Sequence, residues 1–186
     1  LLPAFSAFAP ANAAPASMLA EQIANAMAAQ AMLWQTAPAA TEIEEVMVRW
    51  LSQALGLPFD RGTIHDSATT ATLSAVLTMR ERALDWAGNA RGLSAAPQLR
   101  IYASDQTHSS VDKAVRIAGI GQENLVKIPT NLAGAMKPAA LAGAIASDRE
   151  AGFAPAGVVL CAGGTSVGAF DRIAETIAVA RQAGLY

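Results

Sequence analysis

The clearest hydrophobic pattern in the chain is that of a helix beginning near residue 41. Apolar residues recur there at the 3.6-residue spacing of one helix face: Ile43, Val46, Met47, Trp50, Leu51, Ala54 and Leu55. Thr41 followed by Glu44 predicts a capping box at its start, and Gly56 with Pro58 predicts its end. An earlier apolar helix is predicted over residues 17–33.

A further helix is predicted after residue 66, where Asp66 or Ser67 can serve as the N-cap. The apolar residues expected on its inner face are Leu73, Val76, Leu77, Leu84 and Trp86.

From residue 99 onwards, short apolar runs alternate with helical patterns. The runs "LRIYA", "LVKIP" and "GVVLCA" predict strands, and the segments between and after them predict helices over about 110–118, 138–151 and 171–183. The final "GLY" predicts the start of one more strand. Alternating strands and helices predict an α/β fold, with a mostly parallel sheet flanked by helices and wound as right-handed βαβ units.

Composition and charge narrow the class of protein. With 53% apolar and 15% charged residues among 186, the chain is typical of a globular domain. A net charge of −2 argues against nucleic acid as a partner, because binding the phosphate backbone calls for a basic surface. The single cysteine, Cys161, excludes an internal disulfide framework and a cysteine-based zinc site, and it favours a reducing, cytoplasmic location.

The N-terminal region predicts neither a signal peptide nor a membrane span. The first 16 residues are uncharged and rich in small side chains, but they lack a basic start, and Pro3 and Pro10 interrupt the apolar run. The uncharged run over 22–41 carries polar residues and a proline, which is typical of a buried helix and its exit. Since the chain starts on Leu1 and stops at Tyr186 directly after an apolar pattern, we expect it to be a piece of a longer protein.

Two polar turns are candidates for ligand chemistry. The run "DSATTA" (66–71) places hydroxyl residues at a helix start, where free N–H groups suit a phosphate, but from composition alone plain capping is the favoured interpretation. The run "GGTSVGAFD" (163–171) could be a ligand loop or a tight turn, and for Asp171 we favour an N-cap. Neither G-x-G-x-x-G nor a P-loop motif is present.

His108 lies on a turn between a predicted strand and a predicted helix, and it could be a base, a metal ligand or a stacking platform. A metal site is not expected, because His65 is the one other histidine and no metal-binding spacing surrounds either residue. His65 itself is expected to be structural. A Ser-His-Asp triad is not expected either.

Taken together, five ordered motifs resemble the group II pyridoxal-phosphate-dependent amino acid decarboxylases, the aromatic-L-amino-acid decarboxylase family. The motifs are "FAPAN" (8–12), "PAATEIEEVMVRWL" (38–51), "IHDSATTATLSAVLTMRER" (64–82), "YASDQTHSSVDKA" (102–114) and "GGTSVGAFD" (163–171). The resemblance implies part of a fold-type I, pyridoxal-phosphate-dependent transferase-like large domain over residues 41–186. Residues 1–40 would then form an extended and helical segment at a dimer interface.

The resemblance also implies roles for individual residues. His108 would stack on the pyridine ring of pyridoxal 5′-phosphate and take part in catalysis. A group of three, Ser67, Ala68 and Thr69, would hold the cofactor phosphate, and Thr165 would lie beside the cofactor. Phe8 and Pro10, with Met32 of the partner subunit, would line the pocket for the substrate side chain.

The function implied is decarboxylation of an L-amino acid, most simply an aromatic one, by a cytoplasmic homodimer that binds neither nucleic acid nor membrane. Related outcomes on the same scaffold are aldehyde synthesis and decarboxylation of acidic or diamino acids. The family's cofactor lysine and its aspartate for the pyridine nitrogen would follow residue 186, and Lys113, Lys127 and Lys137 do not match that lysine. We therefore expect these 186 residues alone to be inactive, and a truncated binding module is the non-enzymatic alternative.

Within the matched motifs, several positions depart from the family pattern. Thr69 stands where the family often has Ser, Ser166 replaces the second Thr of the glycine-rich turn, and Ala162 and Gly163 replace bulkier residues before it. These changes leave the shape of the phosphate site and of that turn open.

Overall fold

A computed structural model of the chain describes residues 14–59, 61–164 and 168–186. The chain forms two compact units, Leu1–His65 and Asp66–Tyr186. Among the described residues, none of the helices is both long enough and apolar enough to cross a bilayer.

The first unit contains helix α1 (Pro15–Met27) and helix α2 (Pro38–Leu55). Each begins with a proline, whose fixed φ suits the first helical position and whose missing N–H costs no hydrogen bond there. As predicted, α2 ends at Gly56, which adopts a left-handed φ of 64°. In contrast, α1 stops at Met27, six residues before its predicted end.

The predicted capping box at Thr41 and Glu44 is wrong. Because Pro38 starts α2 earlier, Thr41 already lies in the first turn, and its hydroxyl donates to the carbonyl of Ala37 at 3.2 Å. Glu44 Oε1 instead accepts the Ile64 N–H at 2.7 Å and the Thr63 hydroxyl at 2.9 Å. These bonds, the one from Ile64 foremost, lower the pKa of Glu44 and fasten the end of this unit to α2.

The apolar faces of both helices are open to solvent. In the described part of this unit, only Ala37 and Ser52 are buried. Trp50 is 61% exposed and Leu55 is 69% exposed. The other large apolar residues exposed along α1 and α2 are Met18, Leu19, Ile23, Met27, Ile43, Met47 and Leu51. Such a continuous apolar surface is typical of a face that another chain or segment covers.

The second unit has the predicted alternation of strands and helices. Its helices are α3 (Ala68–Ala83), α4 (Gly88–Arg91), α5 (Ser110–Ile117), α6 (Pro138–Glu150) and α7 (Ile173–Gln182). Its strands are β1 (Leu99–Ser104), β2 (Leu125–Ile128) and β3 (Ala154–Val159). The last strand begins three residues before the predicted "GVVLCA".

The three strands form a parallel sheet in the order β2-β1-β3, so the prediction of a parallel α/β sheet is confirmed. Ile101 pairs with Leu125 on one side of β1, and Leu99 pairs with Ala154 on the other. Beyond β3, the Val158 N–H donates to the carbonyl of Tyr186 at 2.8 Å. The chain therefore returns beside β3, in keeping with the further strand expected there.

Side chains of β1 alternate between two apolar layers. Ile101 and Ala103 pack with residues of α3 and α5, including Val76 and Val115. Tyr102 points to the opposite face, where residues of α6 and α7 pack. Helices on both faces of a parallel sheet are the arrangement of a doubly wound α/β domain.

Trp86 does not belong to the inner face of α3, contrary to the prediction. That helix ends at Ala83, and Trp86 follows in a turn with a left-handed φ of 62°. Its side chain is 62% exposed as a result. Val76 is fully buried, and Leu73, Leu77 and Leu84 pack partly buried against the same core, as predicted.

A buried hydrogen bond ties the central strand to α6. The Tyr102 hydroxyl donates to Asp148 at 2.7 Å, and Arg100 lies 3.6 Å from the same carboxylate. Burial, reinforced by this bond and by the negative charge of Asp148, raises the pKa of the tyrosine well above its usual range.

We expect Tyr102→Phe to lower the free energy of unfolding by about 2 kcal/mol, because Asp148 loses a buried donor. The cost should shrink above about pH 10, where ionisation of Tyr102 in the unfolded state already destabilises the wild type. Urea unfolding of the full-length protein across this pH range measures both effects. Tyr186→Phe is the matched control, since that exposed ring contacts Arg82 through its face. Equal losses in the two variants would contradict the assignment.

Candidate functional site

The carboxyl ends of the three strands lie at one edge of the sheet. Three loops follow there. The first spans residues 105–109, the second spans 129–137, and the described parts of the third are 160–164 and 168–172. The first leads to α5 and the third to α7, which pack on opposite faces of the sheet. In open α/β sheets, ligands bind in the crevice where neighbouring strands send their connections to opposite faces. The candidate site is therefore the edge beyond β1 and β3.

The start of α3 is a capped helix N-terminus. Of the two N-caps considered, Ser67 is the one used: its Oγ accepts the Thr70 N–H at 3.3 Å, and Thr70 Oγ1 accepts the Ser67 N–H at 3.3 Å. In the described part of the chain, the N–H groups of Ala68 and Thr69 have no acceptor. Two unsatisfied donors between small side chains, at the positive end of the helix dipole, are suited to an anion.

His108 is held by the start of α5. Its side chain is exposed, and its Nδ1 accepts the N–H of Ser110 at 3.1 Å. Because Nδ1 serves as an acceptor, the neutral ring carries its proton on Nε2. The contact thus determines both the orientation and the tautomer of the imidazole.

Helices α3 and α5, whose starts are distant in sequence, contact each other near this edge. Thr72 lies one turn beyond Thr69 in α3, and its Oγ1 is 3.4 Å from the Oγ of Ser110 at the start of α5. This contact joins the helix that begins after Ser67 to the helix that begins directly after the His108 turn. Met32 belongs to the other unit and is 77% exposed. Phe8, Pro10 and Thr165 lie outside the described residues.

These residues fit a ligand that combines a phosphate with an aromatic ring. The free N–H groups of Ala68 and Thr69 and nearby hydroxyls match a phosphate. The exposed imidazole of His108 presents a flat face and one N–H, which suit a planar heterocycle. The donor set is therefore compatible with pyridoxal 5′-phosphate.

The prediction that Asp171 is the N-cap of the last helix is wrong. Arg172 occupies that position, and Asp171 is 4% exposed. Its Oδ1 accepts the Met136 N–H, and its Oδ2 accepts the Cys161 N–H, each at 2.7 Å. Two backbone donors from different loops hold the carboxylate inside the protein. Burial, together with the charge of Asp171, raises the pKa of the Cys161 thiol.

Asp105 makes a second bridge between loops. Its carboxylate accepts the hydroxyl of Thr130 at 3.0 Å and the Thr130 N–H at 3.4 Å. Burial acts to raise the pKa of Asp105, but bonds from Thr130 and Gln106 and the charge of Lys137 outweigh it and lower the pKa. Sequence reasoning missed these roles of Asp105 and Asp171, because an Asp in a polar turn is equally typical of capping.

Comparisons with protein-family models, curated proteins and solved structures all identify the same family. The family model described as the pyridoxal-dependent decarboxylase conserved domain matches residues 2–186. The chain is 34% identical over 195 residues to phenylacetaldehyde synthase of Arabidopsis thaliana, a match that covers 99% of this chain and 39% of that protein. It is 35% identical over 188 residues to tryptophan decarboxylase 2 of Oryza sativa subsp. japonica, covering 96% of this chain and 37% of that protein.

A solved structure agrees with these matches. The crystal structure of Oryza sativa TDC with PLP and tryptamine superposes with a TM-score of 0.86 at 34% identity, covering 95% of this chain and 38% of that one. The chain thus spans about two fifths of the length of the relatives it matches. The fold-type I α/β architecture and pyridoxal 5′-phosphate as cofactor, both implied by the resemblance, are supported.

Removing the cap of α3 should destabilise the protein. We expect Ser67→Ala to lower the free energy of unfolding by about 1 kcal/mol, because the Thr70 N–H loses its acceptor. Ser109→Ala is the matched control: Ser109 is the N-cap of α5 but makes no side-chain capping bond, so its loss should cost less than about 0.5 kcal/mol. Denaturant unfolding of both variants compares them, and an equal cost would show that the Ser67 bond stabilises nothing.

Proposed function

Because the chain belongs to the pyridoxal-dependent decarboxylase family, we propose that the full-length protein decarboxylates an aromatic L-amino acid to its amine and carbon dioxide, with pyridoxal 5′-phosphate as cofactor. The observation that carries the proposal is the contact between Thr72 and Ser110, which joins the anion-binding start of α3 to the turn that holds His108. Neither turn alone could bind both ends of such a cofactor.

The start of α3 would bind the cofactor phosphate. The N–H groups of Ala68 and Thr69 would donate to it, with Thr69 adding a hydroxyl and the helix dipole favouring its negative charge. The hydroxyl of Ser67 is already used as the N-cap, so its contribution is chiefly to hold this turn in shape. Thr165, in the glycine-rich loop, is proposed to lie beside the cofactor.

His108 would act at the ring of the cofactor. When bound, pyridoxal phosphate supplies an electron sink for the charge left on the substrate Cα as carbon dioxide departs. The imidazole face restrains the position of the ring, and the proton on Nε2 can be delivered within the site. The Ser110 N–H keeps that proton on Nε2 by occupying Nδ1.

The substrate pocket is proposed to include Phe8 and Pro10, together with Met32 of the partner subunit. All three are apolar, which suits an aromatic side chain more than an acidic or diamino one. The 77% exposure of Met32 supports this proposal, because the side chain is free to contact another subunit.

A homodimer is proposed as the active assembly, with residues 1–40 contributing to its interface. The exposed apolar faces of α1 and α2 support it, since a surface of this extent is costly to leave in water. A reducing, cytoplasmic location is likewise proposed, supported by the single Cys161.

Aldehyde synthesis is the second candidate, because phenylacetaldehyde synthase is as similar to the chain as the tryptophan decarboxylase is. Both reactions release carbon dioxide from the amino acid. They differ in whether the amine is the final product or whether dioxygen and water are consumed to give an aldehyde, ammonia and hydrogen peroxide.

The full-length protein, supplied with pyridoxal phosphate and a panel of aromatic, acidic and diamino acids, should release carbon dioxide and amine in equal amounts from an aromatic substrate. Peroxide and aldehyde in place of amine would favour the second candidate, and no turnover of any amino acid would refute both. The 186-residue chain alone should show no turnover, because no matching lysine is present in it.

His108→Phe, an arm of the same assay, keeps a flat aromatic face but removes the Nε2 proton. We expect turnover to fall by about 100-fold or more while pyridoxal phosphate still binds. His65→Phe is the matched control and should retain wild-type turnover. Equal loss in both variants would argue against a specific role for His108.

Replacing Trp50 by Glu should weaken the dimer of the full-length protein, because it places a charge in the exposed apolar face of α2. Light scattering over a range of concentrations should show dissociation at concentrations where the wild type remains dimeric. Trp86→Glu, an equally exposed tryptophan in the other unit, is the control. A wild-type monomer, or equal effects of the two changes, would contradict the proposed interface.

A further inference from the structure

The three loops at the carboxyl edge of the sheet are joined to one another through the middle one. Asp105, in the loop after β1, bonds to Thr130 in the loop after β2. Asp171, at the end of the loop after β3, bonds to Met136 in that same middle loop. Residues 129–137 thus lie between two carboxylates, each of which accepts a backbone N–H from this segment.

The middle loop is closed by its own hydrogen bonds. The Lys137 N–H donates to the carbonyl of Pro129 at 3.1 Å, and the Asn131 N–H donates to the carbonyl of Ala135 at 2.9 Å. The side-chain oxygen of Asn131 accepts two further N–H groups, those of Ala133 at 2.9 Å and Ala135 at 3.0 Å. A nine-residue segment with this many internal bonds has few alternative conformations, so a shift at one of its ends also shifts the other end.

At one end, this segment holds the turn that carries His108. Besides its two bonds to Thr130, Asp105 donates its own N–H to the carbonyl of Ile128 at 3.0 Å, directly before the segment. Asp105 and His108 are three residues apart in a turn that Ser104 also closes, through its carbonyl to the Thr107 N–H at 3.1 Å.

At the other end, the segment holds the neck of the glycine-rich loop, meaning residues 161–164 and 169–171, where the chain enters and leaves that loop. Asp171 accepts the N–H of buried Met136, and it is paired with Cys161 through both its side chain and its backbone N–H. Directly beyond this pair, the N–H groups of Gly163 and Gly164 both donate to the carbonyl of Ala169. Hydrogen bonds therefore join the two sides of the neck at Cys161, the residue to which Asp171 bonds.

We infer that residues 129–137 form a brace which sets the spacing between the His108 turn and the neck of the glycine-rich loop, with Asp105 and Asp171 as its positioning residues. This inference rests on the proposed function, in which both loops contact the cofactor. Neither carboxylate touches the start of α3 or His108 in the described structure; each acts through the middle loop. A displacement of about 1 Å in a group that orients a reacting bond is enough to cost a large factor in turnover.

The test compares two variants of the brace with a matched carboxylate outside it. Thr130→Val removes the hydroxyl but keeps the branched shape, and Asp105→Asn removes one of the acceptors of Asp105. Asp112→Asn is the control: Asp112 lies on α5 and bonds Lys127 of β2 at 3.0 Å and Gln122 at 2.9 Å, without touching residues 129–137. Asp112→Asn therefore weakens a comparable carboxylate link that lies outside the brace.

In the full-length protein with pyridoxal phosphate, we expect Thr130→Val and Asp105→Asn to lower kcat by about tenfold or more, with KM for the amino acid changed by less than about threefold. The visible circular dichroism of the bound cofactor should change with them. Asp112→Asn should leave kcat within about twofold of the wild type. Wild-type kcat in both brace variants, or an equal loss in Asp112→Asn, would overturn the brace.

Hydrogen exchange separates failure of the brace from failure of the proposed function. If the wild type turns over no amino acid, the proposed function is wrong, and amide exchange then decides the brace alone. Faster exchange over residues 105–110 in Thr130→Val, and over 161–164 in Asp171→Asn, supports it. Unchanged exchange in both variants refutes it.

Discussion

Parallel pairing of β1 with β2 and β3 is the constraint on which the second unit depends. Parallel strands must return by crossovers, so α5 and α6 are drawn onto the sheet and all three carboxyl ends meet at one edge. Every candidate site residue that the structure describes in this unit lies in a loop at that edge or at the start of the adjoining α3. The location of the site therefore depends on the parallel pairing of the strands more than on any single side chain.

Two carboxylates, those of Asp171 and Asp105, then order the edge that the sheet creates. Asp171 is enclosed, and two backbone N–H groups satisfy its carboxylate oxygens. Asp105 achieves the same end nearer to solvent through Thr130. Polar groups of the three loops therefore bond to one another, while the N–H groups of Ala68 and Thr69, where an anion is proposed to bind, have no acceptor among the described residues.

Sequence periodicity predicted the three strands and the six longer helices, because strands and helices bury their apolar faces at fixed spacings, but it did not predict the four-residue α4. It failed where one residue could serve two purposes. Pro38 started α2 before the apparent cap at Thr41, and Asp171 bonded to two distant amides instead of to its own helix. The meeting of Thr72 with Ser110 had no local signal, since it depends on how α3 and α5 pack. The residues of the site were found through the resemblance, and their contacts only through the structure.

The position of β1 in the sheet also has a consequence for how the chain folds. This strand lies at the centre of the three, yet it precedes β2 and β3 in the chain. One of its edges stays unpaired until β3 is synthesised, because Leu99 pairs with Ala154 of that strand. Its pairing with β2 can form earlier, across the short α5 crossover. A ribosome-bound chain thus passes through a stage in which the most buried of the three strands presents an unpaired edge, and that edge is prone to aggregation until β3 pairs with it.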